Sequence, residues 1–213
     1  WTNAVMTRRW RLVRGEELYD IQADPGQKAD ITRQHPDVVA RLRNAHEDWW
    51  EEIEPTILEY APISIGHDEE NPTKLCAMDV MGDVAWHQTH IIQAQESTGR
   101  WMVDVTEPGQ YRFSLRRWPK ELDLPIDSEV SPETASNHIY APDPGVCNRI
   151  TPSHATLTIF SQEETLEVAD SMKEITFTRS LDRTGVTPLE AWFFDGTGER
   201  QGAYYVYVER VED

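Results

Sequence analysis

Residues 101–118 read WMVDVTEPGQYRFSLRRW. Two short β-prone runs flank Glu107-Pro108-Gly109, which makes the stretch a hairpin. In the second run Tyr111, Phe113 and Leu115 fall on one face and Arg112, Ser114 and Arg116 on the other, the period of a half-buried strand. The same alternation recurs downstream. Ala155, Leu157 and Ile159 alternate with Thr156 and Thr158, and Ile175 and Phe177 with Glu174, Thr176 and Thr178. Runs at 189–194 and 202–211 flank the turn Asp195-Gly196-Thr197-Gly198. About eight or nine strands with no long helix predict an antiparallel β-sandwich or jelly roll.

Upstream the pattern changes. Val5, Trp10, Leu12 and Val13 form one β-prone stretch, Arg14-Gly15-Glu16 a turn, and Leu18 to Ile21 a returning strand, so a hairpin is expected. Asp24-Pro25-Gly26-Gln27 is a second turn. Pro36 suits a first helical position, where its missing N–H costs nothing. Val38, Val39, Leu42, Ala45, Trp49 and Ile53 then recur at helical spacing and form an apolar stripe that must pack on the preceding sheet. Pro55 ends that helix. Pro55, Pro62, Pro72 and the acidic run Asp68-Glu69-Glu70 mark a boundary, with Pro62 to Ile65 read as the first strand beyond it. The expected organisation is mainly β, α+β overall: a short antiparallel sheet with one packed helix over 1–54 and the sandwich over 55–213. Between Pro119 and Pro152 lies a long loop holding Pro119, Pro125, Pro132, Pro142, Pro144 and Pro152; a loop of that length inside a compact domain is expected to be functional.

The 213 residues carry 38 Asp+Glu against 20 Lys+Arg, a formal charge of −18. The excess is spread, with eight basic against 15 acidic residues up to residue 73 and 12 against 23 beyond it. Nucleic acid and anionic membrane surfaces are thereby excluded as main partners. No apolar run reaches the ~20 residues of a membrane span. Cys76 and Cys147 are too few for a disulfide scaffold and lack CxxC spacing; one bridge or two separate buried thiols both fit. The start on Trp1, inside a β-prone stretch, reads as a cut within a longer protein.

Few residues carry recognisable chemistry. His87 and His90 are the nearest thing to a metal pair, but no HExxH or nearby cysteine supports them, and structural histidines are the better reading. Asp123 and Asp127 are a carboxylate pair of the kind glycoside chemistry uses, at a density of acids where pairs arise by chance. No GxSxG elbow and no glycine-rich phosphate loop is present. Trp86, Trp101, Trp118 and Trp192 suit either a sandwich core or a stacking platform for sugar rings, with the core favoured for Trp in general. Arg112, Arg116, Arg117 and Lys120 form the densest basic cluster beyond residue 73. Arg112 and Arg116 share a strand face and could fork onto a sulfate or carboxylate, or pair with neighbouring acids as surface charges commonly do.

The ordered set Trp10-Arg11-Leu12-Val13, Glu17-Leu18-Tyr19-Asp20-Ile21, Asp24-Pro25-Gly26-Gln27, Asp30-Ile31, His35-Pro36 and Trp49-Trp50 resembles the C-terminal subdomain of bacterial arylsulfatases. The segments GRWMVDVTEPGQYRFSLRRWP and GAYYVYVERV resemble the β-rich extension that closes some arylsulfatase-like chains. The resemblance implies a parent enzyme that hydrolyses sulfate esters with Ca²⁺ and a formylglycine made from Cys or Ser in a [CS]xPxR motif. It also implies a smaller domain ending in antiparallel strands and a packed helix, to which residues 1–53 correspond. Cys76 opens CAMDV and Cys147 opens CNRIT; neither these nor any serine fits the motif, and the Asp-rich metal signature has no counterpart. No catalytic residue, metal ligand or cofactor is therefore expected in this chain. The partner implied is a sulfatase catalytic domain of the same polypeptide, with a sulfated small molecule or glycan as substrate. The accessory sandwich would help wall the substrate cleft, with Arg112, Arg116, Arg117 and Trp118 as the candidate substrate contacts. An independent carbohydrate-binding module is the alternative.

Overall fold

Thr7 breaks the first expected strand in two. Its Oγ1 accepts the amides of Arg9 and Trp10 at 3.3 and 2.9 Å, and its own N–H donates to Trp10 O at 2.8 Å. A tight turn therefore separates β1 (Ala4–Met6) from β2 (Trp10–Val13). With β3 (Glu17–Asp20) these make a three-stranded antiparallel meander in chain order, one strand more than the expected hairpin. The computed structural model describes residues 3–131 and 146–211, in two compact units, Trp1–Tyr60 and Ala61–Asp213. The sequence-based limit at Glu54 falls inside the first of them.

In the first unit the helix α1 (Pro36–Ile53) closes over the meander. Val38, Val39 and Leu42 pack with Leu12 and Leu18 into one buried cluster. Arg43 Nε donates to Gly15 O at 2.7 Å and so fastens the helix to the β2–β3 turn. The rest of the expected stripe is less covered: Ala45 and Trp49 are exposed and Ile53 is half-buried. Length explains this. At 1.5 Å per residue an 18-residue helix runs about 27 Å, whereas four-residue strands reach about 13 Å, so only its first two turns find a sheet beneath them.

The second unit is a β-sandwich. Its strands are β4 (Ile63–Ile65), β5 (Thr73–Cys76), β6 (Arg100–Val105), β7 (Gly109–Arg116), β8 (His154–Ile159), β9 (Gln162–Glu167), β10 (Ile175–Leu181), β11 (Gly185–Phe194), β12 (Arg200–Gly202) and β13 (Tyr205–Val211). One sheet runs β10-β7-β13-β5; the other runs β4-β6-β11-β8-β9, with β12 on β11. Every pairing in the two sheets is antiparallel except β4 with β6, where Ile63 lies beside Val103 in parallel. The Tyr111-Phe113-Leu115 face points inward, and these residues share one core with Trp101, Val103, Leu157, Leu189 and Val206, all without solvent exposure. The buried polar tips are satisfied: Trp101 Nε1 donates to Cys76 O at 2.9 Å and Tyr111 Oη to Glu107 O at 2.5 Å.

The opposite face of β7 holds the larger departure from expectation. Ser114 and Arg116 are buried there, as are Tyr205 and Tyr207 on β13. A second cluster covers them, built from Ala85, Ile91, Ile92, Trp118, Val130 and Tyr204. The short helix α2 (Gln88–Ile92) and the chain around 118–130 form this cap. It occupies the first part of the proline-rich loop; Pro132, Pro142 and Pro144 lie outside the described residues.

Phe113 sits at the centre of the sandwich, fully buried and paired in register with Phe177 and Val208. Phe113→Ala is expected to lower unfolding free energy by about 3–5 kcal/mol, read as a shift of the urea midpoint with an unchanged slope.

Candidate functional site

The four sequence-predicted contacts do not form a common surface. Arg112 has a half-exposed side chain and pairs with Glu209 at 3.0 Å. Arg116 shares its strand face but is 5 % exposed, donating to Glu174 at 2.8 Å and to Trp118 O at 3.1 Å. The cap takes it out of solvent, so the expected two-arginine fork is closed, each guanidinium already holding an acid. Arg117 and Trp118 have no exposed surface at all. Both are enclosed in the cap.

Arg117 is buried and, among the described residues, has no carboxylate in ion-pair contact; Glu129 acts on it only at longer range. Its Nη2 donates to Ile91 O and Ile92 O, both at 3.2 Å, and to Asn148 O at 2.5 Å; Nη1 reaches Ser128 O at 3.4 Å. The guanidinium carbon lies 4.4 Å from the centre of the Trp118 ring. Burial lowers its pKa from the usual arginine value, while Cys147 and Tyr204 beside it act the other way. It ties the end of α2 to two distant loop segments. Removing it vacates a large buried site and takes the donor from Asn148 O and Ser128 O, whereas Ile91 O and Ile92 O keep the backbone N–H groups of Ala94 and Asn148. Each carbonyl left dry costs about 1–3 kcal/mol. Arg117→Ala should therefore destabilise the fold by roughly 3 kcal/mol or more, against less than about 1 kcal/mol for Arg112→Ala, whose ion pair is solvated. Paired denaturant titrations distinguish the two.

The carboxylate pair is also separated by its partners. Lys173 lies 2.5 Å from Asp123 and holds its carboxyl below the usual range, and Arg149 lies 2.7 Å from Asp127. Of the tryptophans, Trp101 and Trp118 are core residues. Trp192 is half-buried with the Arg200 guanidinium 4.1 Å above its ring. Trp86 is different, at 64 % exposure. Neither cysteine is in a bridge. Among the described residues no three His, Cys, Asp or Glu side chains converge as metal ligands.

Trp86 stands at the mouth of a cleft of about 180 Å³ on the outer face of the four-stranded sheet. Lys74 and Cys76 of β5, His87 and Gln88 at the start of α2, and Tyr205 of β13 line it. Gln88 Nε2 donates to Tyr205 Oη at 3.1 Å. Burial pushes the Tyr205 hydroxyl up to about 12, so it stays protonated at neutral pH. Burial and a 2.9 Å bond to Asp79 likewise raise the Cys76 thiol, which makes it a spectator and not a nucleophile. Three other clefts, of about 340, 250 and 250 Å³, all contain carboxylates: Asp127 and Asp170, Asp195 and Glu199, and Asp83, Glu96 and Glu190. The Trp86 cleft has none in its lining. Sequence reading raised Trp86 as a stacking candidate but missed Lys74, Gln88 and Tyr205, which lie far apart in the chain and meet only through β5–β13 pairing and the seating of α2.

The two histidines serve this cleft structurally. Their ring centres are 4.1 Å apart, and His90 Nδ1 accepts the Trp86 backbone N–H at 3.1 Å. Burial, then the nearness of His87, holds the His90 pKa below its ordinary 6.5. The unfolded chain therefore takes up the proton more readily than the folded one. The contribution of neutral His90 is complete above pH 6.5 and is lost as the pH falls through and below that value. Amide exchange at Trp86 should accelerate from roughly pH 7 to pH 5 beyond the intrinsic pH dependence, and His90→Gln should flatten the excess. No family model, no curated protein and no solved structure matches this chain.

Proposed function

We propose that the chain is the non-catalytic C-terminal region of an arylsulfatase-like hydrolase. The first unit would complete the enzyme's small subdomain, and the sandwich would serve as an accessory domain beside the substrate cleft. One observation carries the reading: the ordered sequence set behaves as one structural passage from sheet to helix. WRLV is β2 and ELYD is β3. Asp20 accepts the Gln22 and Ala23 amides, Asp24 those of Lys28 and Ala29, and Asp30 those of Leu18 and Thr32. Pro36 then opens α1, whose last turns hold Trp49 and Trp50. These residues belong together for a physical reason, since each acid caps a bend the next element needs.

The formylglycine and calcium of the parent family do not fit the residues present. The Cys76 thiol is committed to Asp79, and neither cysteine lies in the required motif. Sulfate ester cleavage would then belong to a catalytic domain outside this sequence. The purified chain is expected to leave 4-nitrophenyl sulfate at the uncatalysed rate; turnover above blank removes the reading. A free-standing carbohydrate-binding sandwich is the second reading, favoured by the exposure of Trp86 on a cleft.

A further inference from the structure

Unit 2 carries 12 Lys and Arg residues, and almost all of them are engaged. Seven pair with carboxylates. Arg117 and Arg183 donate to backbone carbonyls, and Lys120 and Arg200 lie over aromatic rings. Lys74 alone has no such partner among the described residues, and it lines the Trp86 cleft. In a chain of net charge −18 this combination is unusual: an uncommitted ammonium, an exposed indole and a lining without carboxylates.

We propose that this cleft binds an anionic pyranose unit, its ring stacked on Trp86 and its sulfate or carboxylate group at Lys74. The inference takes up the carbohydrate-binding reading and narrows it to one site and one ligand class. The chemistry follows from each wall. An indole face offers an apolar, electron-rich platform to the C–H face of a sugar ring. An ammonium that gives up no existing ion pair can meet an anion at little cost, and its three N–H groups suit sulfate or carboxylate oxygens. The Gln88 amide and the Tyr205 hydroxyl, bonded to each other at 3.1 Å, are ready donors and acceptors for ring hydroxyls. A volume of about 180 Å³ is below the usual range for drug-sized ligands and accords with a single sugar unit with the rest of a glycan outside. In the other clefts two or three acids stand beside arginines that are already engaged, Arg149 with Asp127, Arg100 with Glu190 and Arg200 over the Trp192 ring.

The test is a ¹H–¹⁵N titration of the full chain, following the Trp86 indole N–H, identified by its absence in Trp86→Ala. The probes are glucose 6-sulfate, glucuronate, glucose and inorganic sulfate. Glucose 6-sulfate or glucuronate should shift that resonance saturably, and comparing the two distinguishes a sulfate ester from a carboxylate. Glucose should bind about tenfold more weakly or not at all, and inorganic sulfate alone should leave the resonance in place. Lys74→Met should reduce the affinity of the anionic sugar about tenfold and erase its advantage over glucose; Trp86→Phe, which keeps an aromatic face, should retain part of the binding that Trp86→Ala loses. No shift with either anionic sugar, equal binding of glucose, or binding untouched by Lys74→Met overturns the proposal. Aryl-sulfate turnover by the same sample overturns the accessory-region reading instead and leaves the cleft assignment to the titration.

Discussion

A buried guanidinium with no carboxylate in contact among the described residues must be held by something else, and at Arg117 the main chain holds it. Its bonds go to carbonyls from three separate segments: the end of α2, the turn at Ser128 and Asn148. None of these segments is a strand of either sheet. The buried charge draws carbonyls of these segments together, Ile91 O and Ile92 O sharing themselves between it and a backbone N–H, and those carbonyls keep the charge from standing alone. The seating of α2 follows from this, and with α2 the placement of Gln88 over Tyr205. The cleft lies downstream of a residue that never touches it.

The sandwich was legible because period-two alternation states which side chains share a face. Tyr111, Phe113 and Leu115 face the core as their spacing requires. What alternation leaves out is the identity of whatever covers the other face. Arg116 and Ser114 read as solvent-facing, yet a cap drawn from sequence without periodicity lies over them. The same gap hid the cleft: Lys74, Trp86 and Tyr205 belong to β5, a loop and β13, and only pairing across the whole unit brings them together. In the first unit the spacing marked a helical stripe correctly, but spacing carries no information about how far the opposing sheet extends. Trp49 is apolar, in register and exposed because the strands are short.

Charge acquires a finer grain through the structure. The formal −18 describes the chain as a whole and disfavours polyanions as broad surface partners. Within the sandwich most cations are spent on neighbouring acids, which leaves the surface a patchwork of neutral pairs and unpaired carboxylates. Against that background the Lys74 ammonium, without an ion pair among the described residues, counts for more than it would on a basic protein. Its influence reaches about a Debye length, roughly 8–10 Å at physiological salt, which is the scale of the cleft and not of the domain.

The pairing of β5 with β13 has a consequence for how the molecule comes to be. Thr73 meets Val208 across nearly the whole of the sandwich sequence, whereas the meander of the first unit joins strands that follow one another directly. Local contacts close quickly and distant ones late, because the entropy of a long loop has to be offset before the ladder forms. The floor of the Trp86 cleft, made by β5 and β13 together, is therefore among the last parts to assemble. A molecule that displays the cleft is one whose sandwich has already closed, so ligand recognition there reports on completed folding.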